Sequence, residues 1–210
     1  MTVLSDLVDL VVVLGKEREL PAVRSLHTPD ATASAGQSKK FGVVVLDDGS
    51  CGFFFAGLDD TLSHLRVCDP REFKGAATLD LVRNCLSTDP LARAVGLGAL
   101  NALSQHLLRI SGFKLDRASD PLGHLDLPSA RHVGMVGFFA PLIKVWAGNP
   151  GTLTIIEKDP QFLGQSIPFP VTTQTDRLRD CDRVLITGST LINDTLDDVL
   201  SHCDPAAQVA

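Results

Sequence analysis

The sequence predicts an α/β protein of two domains, and three observations predict it. First, residues 131–210 alternate apolar runs with helical periodicity: HVGMVGFFAPLIKVW within Arg131–Ala147, then TLTIIEKDP, then RVLITGSTLINDTLDDVL. Second, each apolar run closes on a turn of glycine, acid or hydroxyl residues. That is the grammar of a Rossmann-like domain with a mostly parallel sheet, whose strand ends hold a ligand. Third, the N-terminal half carries a helix, a hairpin signal and a long small-residue helix, an α+β pattern. The expected division is an N-terminal domain over 1–112, a linker over 113–130 and the Rossmann-like domain over 131–210.

Bulk properties narrow the function classes. A chain of 210 residues with 44% hydrophobic content can bury a substantial core. A formal net charge of −6, with no basic run longer than Lys39–Lys40, excludes an electrostatic nucleic-acid footprint. The five cysteines include no C-x-x-C pair, which excludes a zinc ribbon and a thioredoxin motif and fits a reduced, cytoplasmic setting. Leu10–Leu14 is interrupted upstream by Asp6 and Asp9 and lacks a basic flank, so it is not a signal peptide. No apolar stretch approaches the roughly 18 residues of a membrane span, so no membrane partner and a soluble chain are expected. A homo-oligomer is compatible with the sequence.

The elements follow in order. Val3, Leu4, Leu7, Val8, Val11, Val12 and Leu14 recur at helical spacing, with Thr2 or Ser5 as cap and Gly15 as stop. Thr28–Lys40 is rich in Ser, Ala, Thr and Gly and reads as a loop. Phe41–Leu46 and Cys51–Ala56 flank Asp47-Asp48-Gly49-Ser50, a hairpin signal. Phe53, Phe54 and Phe55 read as a strand beside a core. Leu79, Leu81, Val82 and Leu86 form a short amphipathic run. Ser87-Thr88-Asp89-Pro90 then caps a helix over Leu91–Leu108. Gly96 and Gly98 cost that helix about 1 kcal/mol each relative to Ala, so close approach of another backbone is expected there. Strands are expected at Val133–Val136, Thr152–Ile156 and Val184–Ile186, and helices at Pro141–Trp146 and Asp194–His202. Gln208-Val209-Ala210 reads as the start of a further strand, so the sheet is expected to lack its last strands, by truncation or by completion from a partner.

Two constellations can carry chemistry. In Gly134-x-x-Gly137-x-x-Ala140 the glycines permit a sharp turn that brings N–H groups near a phosphate. Glu157, about 20 residues on at the end of the next strand, stands where an acid holds ribose hydroxyls. The spacing departs from G-x-G-x-x-G, so a plain strand-to-helix turn is the alternative. Thr187-Gly188-Ser189-Thr190-Leu191-Ile192-Asn193-Asp194-Thr195 places hydroxyls, an amide and a glycine between strand and helix. It can offer donors to an anion, or simply cap the helix. Ser189 lacks the G-x-S-x-G elbow of a nucleophile. His64 and Cys68, four apart, fall on one helical face and can grip a metal, but no third ligand adjoins them. His202, Cys203 and Asp204 read as the polar close of a helix.

Taken together, VGMVGFFAPLIKVW, TLTIIEKDP, RVLITGSTLINDTLDDVL and RAVGLGALNAL resemble the family described as "putative heavy-metal chelation", once known only as a domain of unknown function. The resemblance runs from about Arg93 to the C-terminus. It implies an enolase N-terminal-like first domain, a Rossmann-like second domain and a ligand site in the cleft between them. Carried over position by position, it implies ligand-binding roles for Asn101, Gly137, Phe138, Pro141, Thr187, Gly188, Ser189, Thr190, Asn193 and Thr195, and metal-binding roles for Glu157 and Asp159. The family's turn often has Asn-Gly-Thr where this chain has Asn193-Asp194-Thr195.

Three function classes follow. One is chelation or binding of a metal or small anion, with a heavy-metal ion as the implied cofactor and a small-molecule or metal ligand as the partner. The alternative is an enzyme binding a nucleotide-type cofactor at the strand ends, and a blander third class is a protein-interaction module. The lack of a barrel domain with its metal carboxylates argues against enolase chemistry.

Overall fold

The computed structural model describes residues 2–29, 40–58, 60–114, 125, 127–148, 151–164 and 166–210. The chain forms two compact units, Met1–Leu115 with Leu191–Asn193, and Asp116–Thr190 with Asp194–Ala210. The linker expected over 113–130 falls largely on residues 115–124 and 126, outside the described residues, as do positions 30–39 of the Ser-rich loop.

The first unit opens with α1 (Val3–Gly15). The Thr2 hydroxyl accepts the Ser5 N–H at 3.1 Å, and the Ser5 hydroxyl oxygen accepts the Thr2 N–H at 2.8 Å. This reciprocal box satisfies two donors that a helix start otherwise leaves orphaned. Then come β1 (Val23–His27), β2 (Phe41–Leu46), β3 (Cys51–Phe55), α2 (Thr61–Val67), α3 (Thr78–Arg83) and α4 (Pro90–Ile110). The expected hairpin forms: Asp48 accepts the Ser50 N–H at 2.9 Å across the turn, and Gly49 takes φ 87°. It grows into an antiparallel sheet, β1-β2-β3, because β1 joins β2. That strand has no alternating signature in the sequence, because a bulge between Val23 and Ser25 shifts the register and breaks the period of two.

Helix α4 starts at Pro90 beneath Asp89, whose carboxylate accepts the Ala92 N–H at 2.9 Å. The expected close approach at its glycines is present. A Cβ on Gly96 would stand 2.6 Å from the Cys85 backbone nitrogen, and one on Gly98 would stand 2.7 Å from the Phe54 ring. Phe54 is 1% exposed and Phe53 60%, so the aromatic trio alternates across the strand. Burial of Phe54 contributes about 1.5–3 kcal/mol.

The second unit holds β4 (His132–Val136), α5 (Ala140–Trp146), β5 (Thr152–Ile156), β6 (Val171–Thr172), β7 (Arg183–Ile186), α7 (Leu196–Ser201) and β8 (Gln208–Val209). Helix α6 (Ser189–Ile192) begins in this unit. Every strand pair is parallel, in the order β6-β5-β4-β7-β8. Counted from β4, this is the 3-2-1-4-5 order of the doubly wound dinucleotide fold. Strands β4 and β5 are buried over nearly their whole length, which explains their continuous rather than alternating apolar runs. The last residues do form a short edge strand, with Gln208 N–H donating to Asp182 O at 3.1 Å.

The C-terminal helix departs from expectation. It begins at Leu196 rather than Asp194, because Asp194 takes φ 58° and cannot continue a right-handed helix. The Thr187–Thr195 stretch is not one turn, since α6 occupies its middle.

Candidate functional site

The chain leaves β4 toward β5 on one side and returns through β7 on the other, so the sheet's direction of travel switches between β4 and β7. Open α/β sheets bind ligands outside the carboxyl ends of the strands at such a switch. Gly137 follows β4 and Thr187 follows β7 there, and the Thr187 N–H donates to Val136 O at 3.0 Å. Gly137 adopts φ 101°, a region that residues with a side chain rarely adopt. A Cβ on it would lie 3.1 Å from Thr187 Cγ2.

The Gly134 part of the expected phosphate turn is corrected. Gly134 lies inside β4, where a Cβ would meet Leu178 Cδ2 at 2.6 Å and Cys181 Sγ at 3.1 Å. It is small to admit the short 3-10 helix Thr175–Asp180, not to approach a ligand.

Glu157, at the end of β5, folds back over the β4–α5 corner. Its Oε2 accepts the Phe138 N–H at 3.0 Å and its Oε1 accepts the Asp159 N–H at 2.9 Å. Asp159 in turn caps the short 3-10 helix Pro160–Phe162, with Oδ1 accepting the Gln161 N–H at 3.0 Å and Oδ2 bonded to the Gln161 amide. Phe162 stacks on Phe138 with ring centroids 4.6 Å apart, binding the two loops a second time. Phe162 is a site neighbour that the sequence reading did not single out, although the Asp-Pro capping signal before it was readable. Pro141 sits in the first turn of α5 and has no N–H to offer.

In the β7 corner, the Thr187 hydroxyl donates to Ser189 Oγ at 3.2 Å, and the Ser189 N–H donates to Thr187 Oγ1 at 3.3 Å. Thr190, 3% exposed, spends both its N–H and its hydroxyl on Thr187 O, at 3.1 and 2.7 Å. It shapes the turn. Gly188 is exposed, with open space where a Cβ would be. Thr195 is the N-cap residue of α7, and its N–H donates to Thr190 O at 3.0 Å. Asn101 and Asn193 belong to the first unit, where Asn101 Nδ2 donates to Phe53 O at 2.8 Å.

Metal donors are sparse. Among the described residues no three His, Cys, Asp or Glu side chains converge as a metal-holding group. The expected His64–Cys68 helical pair is corrected, because Cys68 leaves α2 in extended conformation. A side-chain cluster unseen in the sequence lies in the first unit: Asp48 accepts from His106 Nδ1 at 2.7 Å and pairs with Arg109. Burial pushes the Asp48 carboxyl upward, but the hydrogen bonds from His106, Ser50 and Arg109 outweigh it and hold the group well below the usual carboxylate range. In the second unit Asp182 receives the His132 and Arg131 N–H groups at 2.9 and 3.2 Å, at the sheet's opposite end. Burial again opposes ionisation there, and those N–H bonds prevail to lower its pKa.

Two family models with the same description, "putative heavy-metal chelation", match the chain, one over residues 120–210 and the other over residues 38–104. The chain belongs to this family. An uncharacterized protein of Methanocaldococcus jannaschii is 28% identical over 121 residues, covering 57% of this chain and 45% of that one. The matched region thus spans about half the length of this curated relative. Two solved structures, each described as a protein of unknown function from the DUF364 family, share the fold at 16% identity. The structure from Desulfitobacterium hafniense aligns with TM-score 0.68 over 99% of this chain and 78% of that one. The structure from Pyrococcus horikoshii aligns with TM-score 0.64 over 99% and 77%. No described helix is long and apolar enough to cross a membrane.

Proposed function

We propose that the parallel-sheet unit binds a small hydrogen-bonding ligand at the carboxyl ends of β4 and β7, and that a heavy metal reaches it only as part of that ligand. The observation that carries this reading is the contact of Gly137 with Thr187 at the switch point of the sheet. The family's description favours a metal, but the described side chains do not fit a protein-caged ion, which takes three or four protein ligands. Glu157 has acceptor capacity left at this face, since each of its oxygens accepts one N–H there. Asp159 is tied to its own helix start. Gly188, Ser189 and the Thr187 hydroxyl line the second corner.

Native mass spectrometry with elemental analysis of the protein as purified tests this reading. A bound small molecule that is lost in Glu157→Ala supports it, and a ligand retained unchanged in that variant contradicts the role of Glu157. The strand order favours a second reading, an enzyme that uses a nucleotide-type cofactor at the same face. Dinucleotides would then raise the melting temperature through selective binding to the folded state. All five cysteines carry free thiols, which supports a reducing, cytoplasmic setting.

A further inference from the structure

We infer that Glu157 sets the charge of the ligand, closing the Gly137 corner to phosphate and opening it to a cationic or hydrogen-donating group. This inference rests on the site proposed above. In a phosphate-binding strand-to-helix turn, the backbone N–H groups after the glycine point at the anion and nothing negative stands before them. Here three positions of the turn depart from that pattern. The Gly137 N–H donates to Ile156 O at 2.9 Å, the Phe138 N–H is held by Glu157 Oε2 at 3.0 Å, and position 141 is a proline. The corner therefore presents a carboxylate where such a turn presents donors. The Phe138–Phe162 stack and the second bond, from the Asp159 N–H to Oε1, hold that carboxylate in place from the β5 side. An incoming phosphate would have to displace Glu157 and then face its charge. An ammonium, a hydroxyl pair or a metal-bound ammine would instead donate to the lone pairs left on its oxygens.

The test uses two probes on the full chain, followed by amide NMR shifts. Inorganic pyrophosphate is the anion. Hexaamminecobalt(III) is the cation, diamagnetic and surrounded by hydrogen-bond donors. In the unsubstituted protein, hexaamminecobalt(III) should move the Phe138 and Asp159 amides, and pyrophosphate should leave them still. Glu157→Gln keeps an oxygen acceptor for one N–H but removes the charge. It should weaken the cobalt complex at least tenfold, about 1.4 kcal/mol, and admit pyrophosphate at the Phe138 amide. Pyrophosphate binding the unsubstituted protein as tightly as Glu157→Gln would overturn the inference while leaving the site standing. Shifts from neither probe at Gly137, Phe138, Thr187 or Gly188, in either protein, would remove the site and the inference together.

Discussion

Gly137 and Thr187, fifty positions apart in the chain, stand so close that a methyl group on the glycine would lie 3.1 Å from Thr187 Cγ2. The contact joins the loop leaving the central strand to the loop leaving its neighbour across the switch point. It makes both corners one surface.

That closeness predicts the behaviour of Gly137→Ala. The new methyl meets Thr187 and the backbone must hold φ 101° with a side chain attached. Strain of this kind costs about 1–3 kcal/mol. At about 2–4 °C per kcal/mol for a chain of this size, calorimetry should record a lower melting temperature. An unchanged value would show that the turn relaxes freely.

Asp194 offers a contrast in which packing plays little part, because it is exposed and left-handed at φ 58°. Replacement by glycine should be close to neutral, whereas Asp194→Val should lose about 1–2 kcal/mol. Chemical denaturation of the two variants measures the difference directly.

The Asp48 cluster predicts an acid limb in stability. The folded carboxyl titrates below its unfolded value of about 3.9, so its contribution is complete at neutral pH and above pH 4 or so. It is lost as pH falls from there through the folded value. Asp48→Asn should remove that part of the slope, leaving a flatter stability profile below pH 4 and a less stable protein at pH 7.

Thiol chemistry should divide the cysteines. Burial pushes the Cys85 and Cys181 thiols up to about 12, so both remain protonated at pH 8 and poorly nucleophilic. Alkylation under native conditions, read by peptide mass spectrometry, should spare these two and reach them only in denaturant. Rapid labelling of Cys181 in the native protein would contradict the tight packing of Gly134 against it.

Much of the fold was legible because its causes are local. The Asp47–Ser50 turn carries its own hydrogen bonds, Asp89-Pro90 announces α4, and the apolar runs at 133–136 and 152–156 need burial on both faces. The N-terminal turn of α1 was legible for the same reason, with Thr2 and Ser5 three residues apart. Strand β1 was not, because its bulge erases the alternation and its partner strand begins only at Phe41. The start of α7 was misplaced by two residues because Asp194 looks like a cap in sequence and is a left-handed residue in space.

For the candidate site, the amino-acid order alone determined which residues end the strands: a glycine after β4, an acid after β5, a threonine and glycine after β7. Hydrophobic patterning decides where a buried strand stops, and polar residues collect where it does. The tertiary structure decided what each one faces. Strand order brought Gly137 to Thr187, packing against Leu178 turned Gly134 from a ligand residue into a spacer, and the return of the Glu157 carboxylate onto the Phe138 N–H gave that corner its sign. These are consequences of pairings between distant segments, which local spacing does not encode.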